Sequence, residues 1–115
     1  MGVTIDEVRR MALALPAVVE GTSYGTPAFI VRQKRFVRVK EDGETLVLRV
    51  NLFERDLLLE REPDVFHITD HYRDYPAVLL RLAAVTPERL QTALEDAWRF
   101  CAPRKLVTEY DARTG

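Results

Sequence analysis

The chain has 115 residues, of which 47% are hydrophobic and 30% charged, with 17 basic and 18 acidic side chains and a formal net charge of -1. This length suits one folded domain, and we expect a single domain over residues 1–115. The near balance of charges argues against a protein that coats nucleic acid indiscriminately, and no segment is apolar enough to predict a membrane partner. The first residues do not resemble a signal peptide, so we expect a cytoplasmic location.

Capping patterns, turn residues and hydrophobic period predict the elements in chain order. Thr4 and Glu7 have capping-box spacing at the start of a first helix, which Pro16 ends. The segment 20–27 (EGTSYGTP) is rich in Gly, Thr, Ser and Pro and predicts a loop. Three strands are then expected over 28–32, 36–40 and 45–50, with a tight hairpin at the Asp-Gly step between the last two.

The second half of the chain predicts two more helices and two more strands. Asn51 is positioned as an N-cap, and Thr86 with Pro87 begins the longest helix, whose apolar stripe reaches Cys101. The polar tail, 108–115, is expected to fray. The predicted elements are a helix over 52–61, strands over 65–69 and 77–85 with an aromatic loop over 70–76 between them, and the helix that begins at Thr86.

This order, α-β-β-β-α-β-β-α, predicts an α+β fold. Short connections among the first three strands indicate an antiparallel sheet, and the apolar faces of the helices must be buried against it. We therefore expect a two-layer sandwich with the helices mainly on one face of the sheet.

Alternation along the strands separates a core face from an outer face. The core face is expected to carry Phe29, Val31, Val37, Val39, Leu46, Leu48, Val50, Phe66, Ile68, Val78, Leu80 and Leu82. The outer face is expected to carry Ile30, Arg32, Phe36, Arg38, Lys40, Val47, Arg49, His67 and Arg81. Bases from four of the five predicted strands thus lie on one side.

The segment FIVRQKRFVRVK, over 29–40, supplies most of this positive charge and no acid. We expect the outer face of the sheet to bind nucleic acid, with phosphate contacts from Arg32, Arg38, Lys40 and Arg49. Lys34 and Arg35 are expected at a hairpin tip and Phe36 as an apolar contact. A second candidate group, in the 70–76 loop, is His71, Tyr72 and Arg73.

Several motifs resemble those of the MmcQ/YjbR family of small bacterial proteins. They are EGTSYGTPAFIV, QKRFVRV, TLVLRV and DHYRDYPAVLLRL, followed by AWRF and APRKL. The resemblance implies a compact α+β fold similar to secretion chaperones, and a double-wing, DNA-binding-like arrangement of hairpins. The chain departs from the usual family pattern at Tyr24, Gln33, Asp74 and Ala77.

A protein partner is the alternative interpretation of the same face. Ile30, Phe36 and Val47 among the bases predict a mixed apolar and cationic patch, suited to a homodimer or to an acidic helix of a partner. A small-molecule pocket between the 20–27 and 70–76 loops also stays open.

We expect no enzymatic activity, no catalytic residues, no metal and no cofactor. His67, Asp70 and His71 have spacing that brings ligands together only on a helix, and their segment predicts a strand followed by a loop. Cys101 lies on the apolar stripe of the last helix and is expected to be an inert, buried thiol.

Overall fold

A six-stranded antiparallel sheet organises residues 2–114, the part of the chain that the computed structural model describes. Its strand order is β1-β2-β3-β4-β6-β5. The strands are β1 Val18–Ser23, β2 Thr26–Val31, β3 Lys34–Val39, β4 Thr45–Arg49, β5 Phe66–His67 and β6 Ala77–Arg81. The helices are α1 Ile5–Leu13, α2 Leu52–Arg61, α3 Pro87–Cys101 and α4 Arg104–Thr114, with a short 3₁₀ turn at Asp70–Tyr72.

Local capping confirms where the first three helices begin. The Thr4 hydroxyl accepts from the Glu7 N–H at 3.1 Å, while the Glu7 carboxylate accepts from the Thr4 N–H at 2.9 Å. Asn51 caps α2 through the backbone N–H of residue 54 at 2.8 Å, and Thr86 caps α3 through that of residue 89 at 3.1 Å. These contacts satisfy donors that each first turn would otherwise leave unpaired.

The core lies between one face of the sheet and the helices, which confirms the predicted α+β sandwich. Its largest fully buried side chains include Trp98 from α3 and Phe29 from β2. Of the residues expected on the core face, ten are buried there, and Val50 and Ile68 pack against them half-buried. None of the helices among residues 2–114 is both long and apolar enough to cross a bilayer.

The segment 20–27 is a hairpin rather than the predicted loop. β1 pairs with β2 around a two-residue turn in which Tyr24 and Gly25 have φ of 55° and 79°, as a tight hairpin turn requires. β1 is an edge strand with mostly exposed or half-buried side chains, so it lacks the apolar alternation by which strands are recognised.

Phe36 was expected on the outer face, and this expectation is wrong. The pairing of β2 with β3 shifts register between Phe29 and Ile30, which leaves Phe36 as an extra residue in a bulge. As a result Phe36 and Val37 both belong to the helix-covered core, at 0% and 1% exposure.

The tail expected to fray is a helix through Thr114, with Gly115 outside the described residues. Leu106, Val107 and Tyr110 of α4 pack against the core. The Tyr110 ring meets the Trp98 ring edge-on at 5.1 Å, and α3 is joined to α4 by an Arg99–Asp111 ion pair of 2.9 Å. These contacts account for the stability of α4.

Candidate functional site

A concave site of about 490 Å³ lies on the outer face of the sheet, opposite the core. One wall is the β1–β2 turn, which contributes Tyr24, and the other is the loop that follows β5. We call it the outer cleft. Its lining residues are Tyr24, Arg35, Arg38, Lys40, Glu41, Val47, His71, Tyr72 and Tyr75.

The loop wall is anchored to the sheet by Tyr72. Tyr72 is 7% exposed and clusters with Val47, Ala77 and Leu79 on the outer face. This cluster covers part of the sheet with a loop rather than with helices. Burial of the Tyr72 ring and its neighbours holds this loop against the strands.

Arg55 of α2 also holds this loop in place. Its guanidinium donates to the backbone carbonyls of Tyr72 at 2.9 Å, Tyr75 at 3.0 Å and Arg73 at 2.9 Å. Three short charge-assisted bonds from one planar group leave the loop little freedom. Arg55 therefore positions the wall, although it does not line the cleft.

Arg38 of β3 lies in the cleft with much weaker contacts. The residue is 6% exposed. Its guanidinium approaches the Tyr72 hydroxyl at 3.3 Å, the carbonyl of Val39 at 3.4 Å and the Glu41 carboxylate at 3.7 Å. All three distances are long compared with the roughly 2.8 Å typical of a charged donor and an oxygen acceptor. Weak contacts of this kind leave a buried cation able to form a stronger bond with an anion.

Two more cations flank Arg38. The Arg35 guanidinium donates to the Ser23 hydroxyl of β1, and the Lys40 ammonium lies 5.8 Å from the centre of the Tyr72 ring. Glu41 is the acidic residue of the lining, so three cations face one carboxylate. The outer cleft is therefore electropositive.

Aromatic rings form the rest of the surface. Tyr24 is 78% exposed, and the Arg38 guanidinium lies 5.2 Å from its ring centre, within cation–π range. His71 meets Tyr72 edge-on at 5.0 Å, and Tyr75 is tilted against Tyr72 at 6.2 Å. The cleft thus combines positive charge with flat apolar faces.

A sequence model of the YjbR family matches residues 13–100. The chain belongs to the YjbR family. The match contains β1 to β6 and nearly all of α3, and so includes every residue of the outer cleft.

This YjbR domain is similar to mycobacterial proteins that are named as uncharacterized. The uncharacterized proteins Rv2570 of Mycobacterium tuberculosis and Mb2600 of Mycobacterium bovis are each 40% identical to it over 79 residues. Those matches cover 69% of this chain and 54% of the relatives, so the chain spans about half of their length. The crystal structure of Deinococcus radiodurans protein DR2400, with the family domain DUF419, aligns with a TM-score of 0.73 at 20% identity. That alignment covers 89% of this chain and 80% of DR2400, and at this identity it shows a shared fold.

The YjbR domain brings together only some of the predicted binding residues. Arg35, Arg38, Lys40, His71 and Tyr72 all line the outer cleft. The first three come from one strand, β3, and its end, where alternation beyond the bulge directs Arg38 and Lys40 to the same side.

Other predicted residues lie elsewhere. Arg32 occupies the β2–β3 turn with φ of 47°, and Lys34 is exposed at the start of β3. Arg49 lies between the rings of Tyr75 and Phe100, at 5.3 Å and 5.7 Å from their centres. Arg73 is exposed and paired with an aspartate in its own loop. None of these four cations is a lining residue of the outer cleft.

Sequence reasoning did not assign Tyr24, Glu41 or Tyr75 to a site. The sequence predicts Tyr24 in a loop with turns, and its distance from Arg38 depends on the β1–β2 hairpin. The signal available in the sequence is that the 20–27 and 70–76 segments are both aromatic and polar. This is the basis for the alternative of a pocket between them. The structure places the outer cleft between these two segments.

Asp42, in the neighbouring acidic turn, does not line the cleft. The Asp42 carboxylate accepts from the backbone N–H groups of Glu44 at 2.8 Å and Thr45 at 3.0 Å. These bonds to its own turn lower the pKa of Asp42, with a smaller contribution from Lys40. Asp42 is thus occupied within the β3–β4 connection.

A second cavity, of about 280 Å³, lies between α2, α3 and the sheet. At its rim, Arg89 donates to both carboxylate oxygens of Glu62 at 2.8 Å, and this pairing lowers the pKa of Glu62. The lining of this cavity carries as many acidic as basic side chains, whereas basic side chains predominate in the outer cleft. The charged residues of the second cavity are Arg49, Arg61, Arg89, Glu54, Glu62 and Asp96.

The groups considered for chemistry in the sequence are Cys101 and the set His67, Asp70 and His71. Burial raises the pKa of the Cys101 thiol, which disfavours the nucleophilic thiolate. Within residues 2–114, no group of three or more His, Cys, Asp or Glu side chains is arranged to hold a metal ion.

Proposed function

We propose that this YjbR domain binds nucleic acid through the outer cleft and acts by binding rather than by catalysis. The observation that carries the proposal is Arg38, a buried guanidinium whose polar contacts are 3.3–3.7 Å long. A phosphate oxygen would offer it the short charge-assisted bonds that the protein does not supply.

The neighbours of Arg38 suit the same ligand. Arg35 and Lys40 add positive charge on either side, and Tyr24 adds an exposed ring above it. Cations beside aromatic faces are the usual means by which proteins hold a nucleic-acid backbone and its bases. Phe36 has no part in this surface, since it is buried in the core.

The alternative of a protein partner on the same face has less support. The apolar patch on which it depended required Phe36 and Val47 to be exposed, whereas Phe36 is in the core and Val47 is 5% exposed beside Tyr72. A dimer mass at high micromolar concentration would favour this alternative.

The test is binding of fluorescein-labelled single-stranded and duplex DNA by fluorescence anisotropy, over a range of salt concentrations. Three phosphate contacts on a single strand predict a slope of log affinity against log salt of about -2. Arg38→Met should weaken binding about tenfold, because it removes a charge-assisted bond of about 1.5 kcal/mol or more.

The matched control is Arg10→Met, which removes the same charge from the exposed surface of α1. Absence of saturable binding at low salt would contradict the proposal. Equal losses of affinity in Arg38→Met and Arg10→Met would contradict it too.

A further inference from the structure

We infer that the outer cleft holds one unstacked nucleotide, with its phosphate at Arg38 and its base against the ring of Tyr24. This inference rests on the proposed function for its class of ligand. It makes a single strand, or a free mononucleotide, the preferred ligand over a duplex.

The shape of the site is the first argument. The outer cleft is a recess of about 490 Å³, within the range of about 300–1,000 Å³ that pockets for small ligands occupy. Reading a duplex requires an element that protrudes into a groove. The cations of the cleft lie in a recess between two walls, where a flat nucleotide fits and a double helix does not.

The depth of Arg38 is the second argument. A guanidinium on a side chain that is 7% exposed can be reached by a phosphate that enters the cleft, but not by one that passes along a convex surface. Arg38 comes from the sheet, and the wall opposite Tyr24 is held by Arg55, so the phosphate position is preorganised.

Tyr24 is the third argument. Its ring is 78% exposed at the tip of a tight hairpin and lies over Arg38 at 5.2 Å. Because the ring is 78% exposed, most of its surface is open to a base that enters the cleft beside the cation. Stacking of one base on an aromatic side chain contributes about 1–3 kcal/mol, and duplex bases cannot supply it because they are already stacked.

A free mononucleotide and a nucleotide within a single strand share this chemistry, and the experiment separates them. The probes are a labelled twelve-residue thymidine oligonucleotide, its duplex with the complementary strand, adenosine 5′-monophosphate, adenosine and inorganic phosphate. Direct binding is measured by anisotropy for the oligonucleotides and by calorimetry for the small ligands.

We expect the single strand to bind at least tenfold more tightly than the duplex. Tyr24→Ala should weaken single-strand binding about tenfold, from the stacking energy of one base. Phe53→Ala is the matched control, because Phe53 is an aromatic residue of α2 with nearly the same exposure, 74%, and does not line the cleft. It should leave the affinity unchanged.

The possible failures are distinguishable. If single strand and duplex bind equally and Tyr24→Ala behaves as Phe53→Ala does, the inference is overturned while the proposed function survives. A third result is that adenosine 5′-monophosphate binds, both Arg38→Met and Tyr24→Ala weaken that binding, and no oligonucleotide binds. It would support the nucleotide site and contradict nucleic-acid binding. If neither the monophosphate nor any oligonucleotide binds, both are overturned.

Discussion

Arg38 and Arg55 are buried to the same degree, each 6% exposed, yet their surroundings differ. Arg55 donates to three backbone carbonyls at 2.9–3.0 Å, whereas the contacts of Arg38 are all 3.3 Å or longer. Both meet Tyr72, Arg55 at its carbonyl and Arg38 at its hydroxyl. A buried cation with short bonds to the backbone holds a loop in place, whereas one with long bonds is, under the proposed function, the group that binds the ligand.

The two arginines also differ in their charged neighbours. The Nε of Arg55 has no hydrogen-bond partner within the described chain and lies 3.9 Å from the Asp56 carboxylate, so even this well-bonded group is not fully satisfied. The positive charge of Arg38 is reinforced by Arg35 and Lys40 and opposed by Glu41. The comparison therefore predicts opposite consequences for stability and binding when each arginine is replaced.

Arg55→Met should have the largest effect, a loss of about 3 kcal/mol in the free energy of unfolding. Each buried carbonyl left without a donor costs about 1–3 kcal/mol, and two of the three bonds are only part-buried, so that water can replace them. Urea unfolding followed by circular dichroism measures this. An unchanged unfolding midpoint would show that the 70–76 loop does not depend on Arg55.

Arg38→Met should change the free energy of unfolding by no more than about 1 kcal/mol, and in the stabilising direction if it changes at all. Replacing a poorly bonded buried charge by an apolar side chain of similar length removes a desolvation cost. The same urea titration is the measurement. A destabilisation equal to that of Arg55→Met would contradict the proposed difference in role between the two arginines.

Tyr72→Phe should cost about 0.5 kcal/mol, because the hydrogen bond it removes is long and the carbonyl bonded to Arg55 stays in place. Thermal unfolding together with the anisotropy assay checks this. We expect nucleic-acid affinity to hold or rise, since Arg38 loses a competing partner. A large loss of stability would mean that the hydroxyl, and not only the ring, holds the wall.

The smallest effect concerns His67 of β5, whose pKa is lowered mainly by burial and further by the positive charges of Arg81 and Lys40. Lys40→Met should therefore raise the pKa of His67, which an NMR titration of the imidazole measures. The change reports directly on the potential around the cleft. A pKa that stays the same or falls would show that Lys40 does not contribute to that potential as proposed.

The same residue makes stability depend on pH. Because the pKa of His67 is lower in the folded state, the unfolded chain binds the proton more readily as the pH falls below about 6.5. The free energy of unfolding should then decrease with falling pH through this range, above the range in which carboxylates titrate. His67→Gln should flatten this slope, and a slope that persists would assign it to other groups.

Much of the fold could be predicted because its signals are local. The Thr4–Glu7 cap, the Asp42–Gly43 turn and the stripe along α3 each depend on residues a few positions apart. Alternation along β3 and β4 placed the core correctly wherever the strands pair regularly, and it placed Arg38 and Lys40 on the outer side.

Predictions failed where a residue's environment depends on pairing with a distant segment. Phe36 faces the core because β3 bulges against β2. The sequence of β1 predicts a loop because an edge strand needs no alternating apolar residues. The tail was expected to fray because its own composition is polar, whereas it continues α4, and its Tyr110 packs against Trp98 in the core.

By itself, the sequence determined the class of fold, the capped helices and the presence of positive charge along one strand, since period, caps and turns act over a few residues. Only the tertiary structure decided which cations meet. The outer cleft forms because the β1–β2 hairpin carries Tyr24 over Arg38 and because Arg55 holds the facing loop by its carbonyls. Those contacts join segments 14 to 20 residues apart, and no local pattern encodes them.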